Sequence, residues 1–128
     1  MSHRILIVDD SATTRGLIKR ALQLSGLEVA EFYEAGHGKE ALEQLALHPV
    51  DLVLADLHMP VMNGVELTHA ILSNPVTAHI PVAIISAEPC TNRLLELRRA
   101  GVKGYVRKPC TPEMLRNLVA PLLETTHV

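Results

Sequence analysis

The feature that most constrains this chain is an alternation of short, continuous apolar runs with longer amphipathic stretches. Apolar runs rich in β-branched residues are typical of strands buried on both faces. They predict strands over residues 5–8, 52–55 and 81–85, with a weaker strand over 28–33 and a short one over 104–107. Helices are predicted over 13–25, 39–47 and 91–100, and two more begin at Asn63 or Gly64 and at Thr111. Ser11 is a suitable cap for the first helix. The apolar stripe expected on this helix consists of Leu17, Ile18, Ala21 and Leu22.

Five strands that alternate with five helices predict an α/β fold with a parallel sheet, right-handed crossovers and helices on both faces. For a five-stranded sheet, the flavodoxin-like, doubly wound order 2-1-3-4-5 is the leading candidate. The chain has 128 residues, which is the size of one domain. We therefore expect a single domain over residues 1–128 with no output domain attached.

Composition excludes several classes of function. Aromatic residues make up 2% of the chain and Trp is absent, so the platforms on which single-stranded nucleic acids stack are missing. A formal net charge of -2 is not that of a domain that coats nucleic acid. No apolar stretch approaches the ~20 residues of a membrane span. We expect no direct nucleic-acid binding and no membrane insertion.

The cysteines and the N-terminal sequence indicate a cytoplasmic location. Two cysteines, Cys90 and Cys110, do not make a disulfide-rich secreted domain, and no apolar signal segment follows Met1. We expect two unrelated reduced thiols. Both cysteines follow neighbouring predicted strands, so a regulatory disulfide stays open as an alternative.

The near-neutral total hides two halves of opposite charge. Residues 1–66 contain 5 Lys or Arg and 10 Asp or Glu, a balance of -5, whereas residues 67–128 contain 7 and 4, a balance of +3. Each half therefore has its own electrostatic character.

Five polar residues follow the carboxyl ends of predicted strands: Asp9, Asp10, Asp56, Ser86 and Lys108. In the order 2-1-3-4-5 the ligand crevice opens between strands 1 and 3, where Asp10 and Asp56 flank it. Carboxylates brought together repel one another, and an oxygen cluster open to solvent suits Mg²⁺. A carboxylate nucleophile, a divalent metal ion, a lysine and a hydroxyl are the groups that phosphoryl transfer uses.

Taken singly, each of these residues has a simpler interpretation. Asp9 or Asp56 alone is typical of a helix cap or turn, and Ser86 alone is typical of a turn. Lys108 alone is typical of a solvated surface charge. Their joint placement on one edge of the sheet favours the functional interpretation.

Four segments closely resemble the receiver domain of two-component response regulators, of the CheY type. They are ILIVDDSATTR at the first strand and turn, VLADLHMPVMNG around Asp56, AIISAE after the fourth strand and GYVRKP near the end. The resemblance covers essentially the whole chain. It implies a signalling switch and not an enzyme, with autophosphorylation and autodephosphorylation as its only chemistry.

The resemblance implies a role for each residue of the predicted site. Asp56 would be the phosphoacceptor that attacks the phosphohistidine of a sensor histidine kinase or phosphotransfer protein. Asp10 and Asp56 would bind Mg²⁺ with side-chain oxygens, and the backbone carbonyl of His58 would add a ligand. Asp9 would act mainly through metal-bound water. Lys108 would pair with Asp56 or with a phosphoryl oxygen.

The resemblance also implies a switch and a means of tuning it. Ser86 would hydrogen-bond the phosphoryl group and draw its loop inward, and Tyr105 matches an aromatic residue whose rotamer follows that movement. His58 and Glu88 lie at positions that tune dephosphorylation, where each is placed to approach an attacking water. Cys110 stands where Phe is common, which removes a large apolar anchor. The Lys108–Pro109 peptide bond matches one that is usually cis.

The usual output face of the family is formed by the fourth helix, fifth strand and fifth helix. In this chain that region includes five basic residues: Arg93, Arg98, Arg99, Lys103 and Arg107. We expect an acidic or mixed-charge downstream effector protein to bind there, and an ordinary solvated face is the alternative. The resemblance is compatible with a monomer or a weak phosphorylation-dependent dimer.

Three other functions stay open. The hydroxyl-rich stretch 11–14 superficially suits the phosphate loop of an FMN-binding electron carrier, although Asp9 and Asp10 would repel a phosphate. A metal-dependent phosphohydrolase of the haloacid-dehalogenase type requires a second aspartate two residues after Asp56, where this chain has His58. The third is a receiver that docks constitutively.

Overall fold

The computed structural model describes residues 3–89 and 92–125. Its strands are β1 (His3–Val8), β2 (Val29–Ala35), β3 (Leu52–Ala55), β4 (Val82–Ser86) and β5 (Gly104–Arg107). Its helices are α1 (Ala12–Leu24), α2 (Gly38–Leu47), α3 (Gly64–Ser73), α4 (Asn92–Ala100) and α5 (Pro112–Thr125). No helix in these residues is both long and apolar enough to cross a membrane.

The strands form one parallel sheet in the order β2-β1-β3-β4-β5, which confirms the predicted topology. Val8 of β1 pairs with Ala55 of β3. Val8 and Ala55 are the last residues of their strands. Their pairing therefore brings the residues that follow β1 and β3 to the same place on the carboxyl edge of the sheet.

Alternation along the strands separates two apolar cores, one on each face of the sheet. One core joins Leu6, Val8, Val53, Ala55 and Ile84 to α2, α3 and α4. The other joins Ile5, Ile7, Leu52, Leu54 and Ile85 to α1 and α5. Successive strand side chains point to opposite faces, so continuous apolar runs are what a sheet covered on both sides requires.

The predicted boundaries agree with the structure within a few residues. β2 is longer than predicted because its pairing with β1 continues through Glu34 and Ala35. The Ser11 side chain caps α1 as expected, accepting the Thr14 N–H at 3.2 Å. Gly26, with a φ of 86°, follows the end of the same helix. The predicted start of α4 at Thr91 lies outside the described residues.

The prediction that Leu17 faces the core was wrong. Its side chain is 66% exposed, whereas Ile18, Ala21 and Leu22 are buried. These three residues complete the inward stripe of α1 at a spacing of three and four. Leu17 lies about 100° from Ile18 and about 40° from Ala21 around the helix axis, at the outer border of that stripe.

Two glycines give opposite predictions for the stability of the fold. Gly16 lies inside α1, and a methyl group added there meets nothing within 4 Å. Because glycine in a helix interior costs about 1 kcal/mol relative to alanine, Gly16→Ala should raise the free energy of unfolding by about that amount.

At Gly64 the added carbon would lie 2.1 Å from the Asp56 backbone oxygen, so Gly64→Ala should lower the free energy of unfolding. Urea unfolding followed by far-UV circular dichroism measures both changes, and an unchanged or lower stability of Gly16→Ala contradicts the first.

Candidate functional site

Three carboxylates meet at the carboxyl edge of the sheet. Asp9 and Asp10 follow β1 and Asp56 follows β3, and one carboxylate oxygen from each lies within 4.8 Å of the others. Asp9 and Asp56 are buried, at 2% and 9% exposed, whereas Asp10 is exposed. The site therefore has two buried acids and one acid open to solvent.

Lys108 supplies the positive charge that holds the two buried acids together. Its Nζ donates to Asp9 Oδ2 at 2.6 Å and to Asp56 Oδ2 at 3.2 Å. Burial alone would lower the pKa of Lys108, but the hydrogen bond with Asp9 and the charges of Asp56 and Asp9 outweigh it. The pKa of the ammonium group consequently lies above its ordinary value, and the group stays charged.

Backbone hydrogen bonds fix the two buried carboxylates. The Ser11 N–H donates to Asp9 Oδ1 at 2.9 Å, and the Leu57 N–H donates to Asp56 Oδ1 at 2.8 Å. Arg15 secures the Asp9 backbone, because its guanidinium donates to the Asp9 carbonyl at 2.6 Å. Both acids are thus held by the chain that follows each strand.

The turn between β3 and α3 is packed tightly around Asp56. Gly64 approaches the Asp56 backbone so closely that no side chain fits there. Asn63 caps α3 in a capping box with Glu66, whose carboxylate accepts the Asn63 N–H at 3.1 Å. Val61, which is 72% exposed, has a φ of 66°, a conformation that β-branched residues rarely adopt.

Glu88 connects the side chains around the mouth of the site. Its backbone N–H donates to Ser86 Oγ at 3.2 Å, and its carbonyl accepts a hydrogen bond from the Tyr105 hydroxyl. Its carboxylate contacts His58 Nε2, which joins the loop after β4 to the loop after β3. Ser86 is buried at 1% exposed, so its hydroxyl lies inside the edge of the sheet.

The donor set suits a hard divalent cation. Three carboxylates and one ammonium group leave a formal charge of -2 at the cluster. All the side-chain donors are oxygens, and one of them is exposed, which is the kind of site that Mg²⁺ occupies with several waters retained. Asp9, Asp10 and Asp56 therefore fit such an ion by charge and by chemistry.

Comparison with known proteins decides the family. The family model described as the response regulator receiver domain matches residues 5–120. The chain belongs to the response regulator receiver family. Receiver domains of the CheY type are modules of two-component signalling that interact with kinases and effectors, and they are not dedicated enzymes. They generally bind Mg²⁺ at an acidic pocket.

Relatives of this receiver domain align over nearly the whole chain. The chemotaxis protein CheY of Pseudomonas aeruginosa is 36% identical over 124 residues, which cover 97% of this chain and 98% of the relative. Chemotaxis protein CheY-3 of Vibrio cholerae is 36% identical over 121 residues, or 94% and 92% of the two chains. The solved structure of the chemotaxis response regulator CheY4 of Vibrio cholerae has a TM-score of 0.83 at 28% identity and covers 96% of this chain and 100% of its own. A Francisella response regulator receiver domain has a TM-score of 0.84 at 26% identity, with 98% and 99% covered.

The structure brings the predicted residues of this receiver domain together in two connected groups. The first is the acidic cluster of Asp9, Asp10 and Asp56 with Lys108. The second is the set joined by Glu88, namely Ser86, His58 and Tyr105. The Lys108–Pro109 peptide bond is cis, as the resemblance implied.

Several contacts of Lys108 and Arg15 were not predicted from the sequence. The shortest bond of Lys108 is with Asp9, whereas Asp56 or a phosphoryl oxygen was the expected partner. Arg15, which lies within a motif segment, had no predicted role, yet it binds the Asp9 carbonyl and pairs with Glu34 at 3.0 Å. Arg15 lies six residues after Asp9 and four residues after Ser11, the cap of α1. This spacing is the sequence signal that could have indicated the contact.

The predicted basic residues of the output region all lie exposed on the surface of the receiver domain. Arg93, Arg98 and Arg99 lie on α4, and Arg98 and Arg99 occupy its last turn, where basic residues also favour the helix dipole. Lys103 precedes β5. Arg107 ends β5 and donates to the Ala87 carbonyl at 3.3 Å.

Cys110 borders a cavity of about 540 Å³ between α1 and the loop after β5. Leu17, Ile18 and Pro109 are also in its wall. The Cys110 thiol is free, and burial raises its pKa above the ordinary value. Cys90 lies outside the described residues, so the alternative of a disulfide between the two is not tested.

Proposed function

We propose that this receiver domain is a phosphorylation-switched signalling module whose phosphoacceptor is Asp56. The observation that carries the proposal is the position of the Asp56 carboxylate. It lies 3.2 Å from the Lys108 ammonium group and within 4.8 Å of two further carboxylates, at the carboxyl edge of the sheet. A carboxylate oxygen of Asp56 attacks the phosphorus of a phosphohistidine, and the histidine nitrogen leaves with the electron pair of the broken P–N bond. The phosphodonor is a sensor histidine kinase or a phosphotransfer protein.

The neighbours of Asp56 supply charge at the point where it is needed. Asp10, Asp56 and the His58 carbonyl, with Asp9 beside them, would hold Mg²⁺, which would supply positive charge for the transferring phosphoryl oxygens. Lys108 is already charged and bound to Asp56, so it can pass from the carboxylate to a phosphoryl oxygen with little movement. Its bond to Asp9 keeps it in reach throughout.

Ser86 and Tyr105 convert the chemical event into a change of surface. The Ser86 hydroxyl accepts the Glu88 N–H, which leaves its own proton for a phosphoryl oxygen. Movement of Ser86 toward that oxygen draws the Glu88 backbone with it, and the Tyr105 hydroxyl is bonded to the Glu88 carbonyl. Phosphorylation therefore changes the population of Tyr105 rotamers through one shared residue.

The surface that changes is the α4, β5 and α5 region around Tyr105. Its exposed basic residues, Arg93, Arg98, Arg99, Lys103 and Arg107, favour an acidic or mixed-charge effector protein. Shallow apolar grooves lie on both sides of Tyr105, one lined by Leu94 and Leu95 and the other by Met114 and Leu118. Protein interfaces commonly combine an apolar core with a polar rim. Apolar side chains of the effector would fill these grooves, and its acidic side chains would pair with the basic residues around them.

A labelling experiment tests the assignment of Asp56. The protein is incubated with Mg²⁺ and a small phosphodonor, and the aspartyl phosphate is detected by intact mass. The parent should be labelled and Asp56→Asn should not. Asp51→Asn, which changes an aspartate at the opposite end of β3, is the matched control and should be labelled like the parent. Equal labelling of Asp56→Asn and the parent contradicts the proposal.

The contact between His58 and Glu88 predicts the lifetime of the phosphoryl group. This contact joins the loops after β3 and β4 beside the acidic cluster, and we infer that it restricts the approach of water to the phosphorylated Asp56. Glu88→Ala removes the contact but keeps both backbone hydrogen bonds of Glu88. The variant should lose its phosphoryl group roughly threefold faster, which corresponds to about 0.7 kcal/mol in the barrier.

A double-mutant cycle separates the contact from independent effects of the two side chains. If both act through the contact, His58→Ala and the double variant should match Glu88→Ala. Glu43→Ala, on the exposed face of α2, is the control and should hydrolyse like the parent. Unchanged or slower hydrolysis in Glu88→Ala refutes the role of the contact.

A further inference from the structure

A histidine caps the N-terminus of α2. His37 has extended backbone angles, and its Nδ1 accepts the Glu40 N–H at 3.2 Å. This position is usually filled by asparagine, aspartate, serine or threonine. Their side-chain oxygens accept such a bond throughout the pH range around neutrality. Imidazole accepts only in its neutral form, since both ring nitrogens of the protonated form are donors.

Protonation of His37 would replace this bond with a partly exposed ion pair to Glu40. The charged and titratable groups of the elements around it include Glu40 and Lys39 on α2, Arg15 on α1, Glu34 on β2, and Asp56 and His58 from the β3–α3 loop that contacts Gly38. Glu40 Oε2 lies 4.0 Å from His37 Nε2, but the Glu40 side chain is 46% exposed and its other oxygen accepts the Gly36 N–H. Arg15 and Glu34 neutralise each other. A protonated imidazole would also face the positive end of the α2 dipole.

The capped turn supports the loop that carries the phosphorylation site. The Gly38 N–H donates to the Met62 carbonyl at 2.8 Å. A side chain at Gly38 would meet Met62 Cγ at 2.5 Å, so the first turn of α2 and the β3–α3 loop are in close contact. Met62 follows Val61, whose positive φ requires support from its surroundings.

We propose that His37 is a pH-sensitive cap, and that its protonation releases the first turn of α2 and loosens the β3–α3 loop through the Gly38–Met62 contact. The cap bond is present while the imidazole is neutral and is lost when the imidazole takes up a proton. The inference rests on the fold and on these contacts, and it stands whether or not Asp56 is phosphorylated. Its connection with the proposed function is that the loosened loop contains His58.

Two measurements on the whole protein test the proposal. Backbone amide shifts are followed by nuclear magnetic resonance from about pH 8 to about pH 5. In the parent, the Glu40 and Met62 amides should shift with one common midpoint, and in His37→Asn both should stay nearly constant. Over the same range the unfolding equilibrium constant of the parent should rise roughly fivefold more than that of His37→Asn.

Controls and variants keep the outcome decisive. His79→Asn changes an exposed histidine in the loop after α3 and should keep the behaviour of the parent. His37→Ser replaces the asparagine variant if the latter does not fold. Equal pH dependence of the parent and the His37 variant overturns the cap, and a Met62 amide that does not follow Glu40 overturns the connection to the loop.

Discussion

The bond network of Lys108 is the interaction on which the rest of this site depends. Two buried carboxylates at the end of a sheet repel each other and lose hydration, and one ammonium group bonded to both makes their burial tolerable. The two aspartates follow the neighbouring strands β1 and β3, and Lys108 follows β5. Because these three side chains come from distant parts of the sequence, the sheet must be complete before the site exists.

The fold explains why the site lies where it does. Continuous apolar runs require helices on both faces of the sheet, and the polar residues are then restricted to strand ends. Pairing of Val8 with Ala55 and of Ser86 with Arg107 places the following residues along one edge. The loop after β4 connects this edge with Tyr105 on β5, because the Glu88 carbonyl accepts a hydrogen bond from the Tyr105 hydroxyl. Under the proposed function, phosphorylation of Asp56 would therefore have a short path to the α4, β5 and α5 surface.

Sequence patterns predicted the layout of the molecule better than its contacts. The apolar runs predicted the three central strands because burial on both faces leaves a strong signal, whereas the partly exposed edge strands β2 and β5 were predicted from a weaker and a shorter run. The prediction for Leu17 was wrong because one residue on a helix is enough to move a side chain from core to surface. The Lys108–Asp9 bond, the His58–Glu88 contact and the His37 cap depend on rotamers and loop paths, which residue type and spacing do not determine.

We propose that the three carboxylates form one divalent-cation site. Titration of the protein with Mg²⁺, followed by backbone amide shifts, tests it most directly. Asp10 is exposed, so Asp10→Asn leaves the buried contacts of Asp9 and Asp56 in place, and Asp51→Asn is the control. The parent should bind Mg²⁺ saturably. The affinity should fall at least about tenfold in Asp10→Asn, which corresponds to about 1.4 kcal/mol, and should be unchanged in the control. Equal Mg²⁺ affinity of Asp10→Asn and the parent would contradict it.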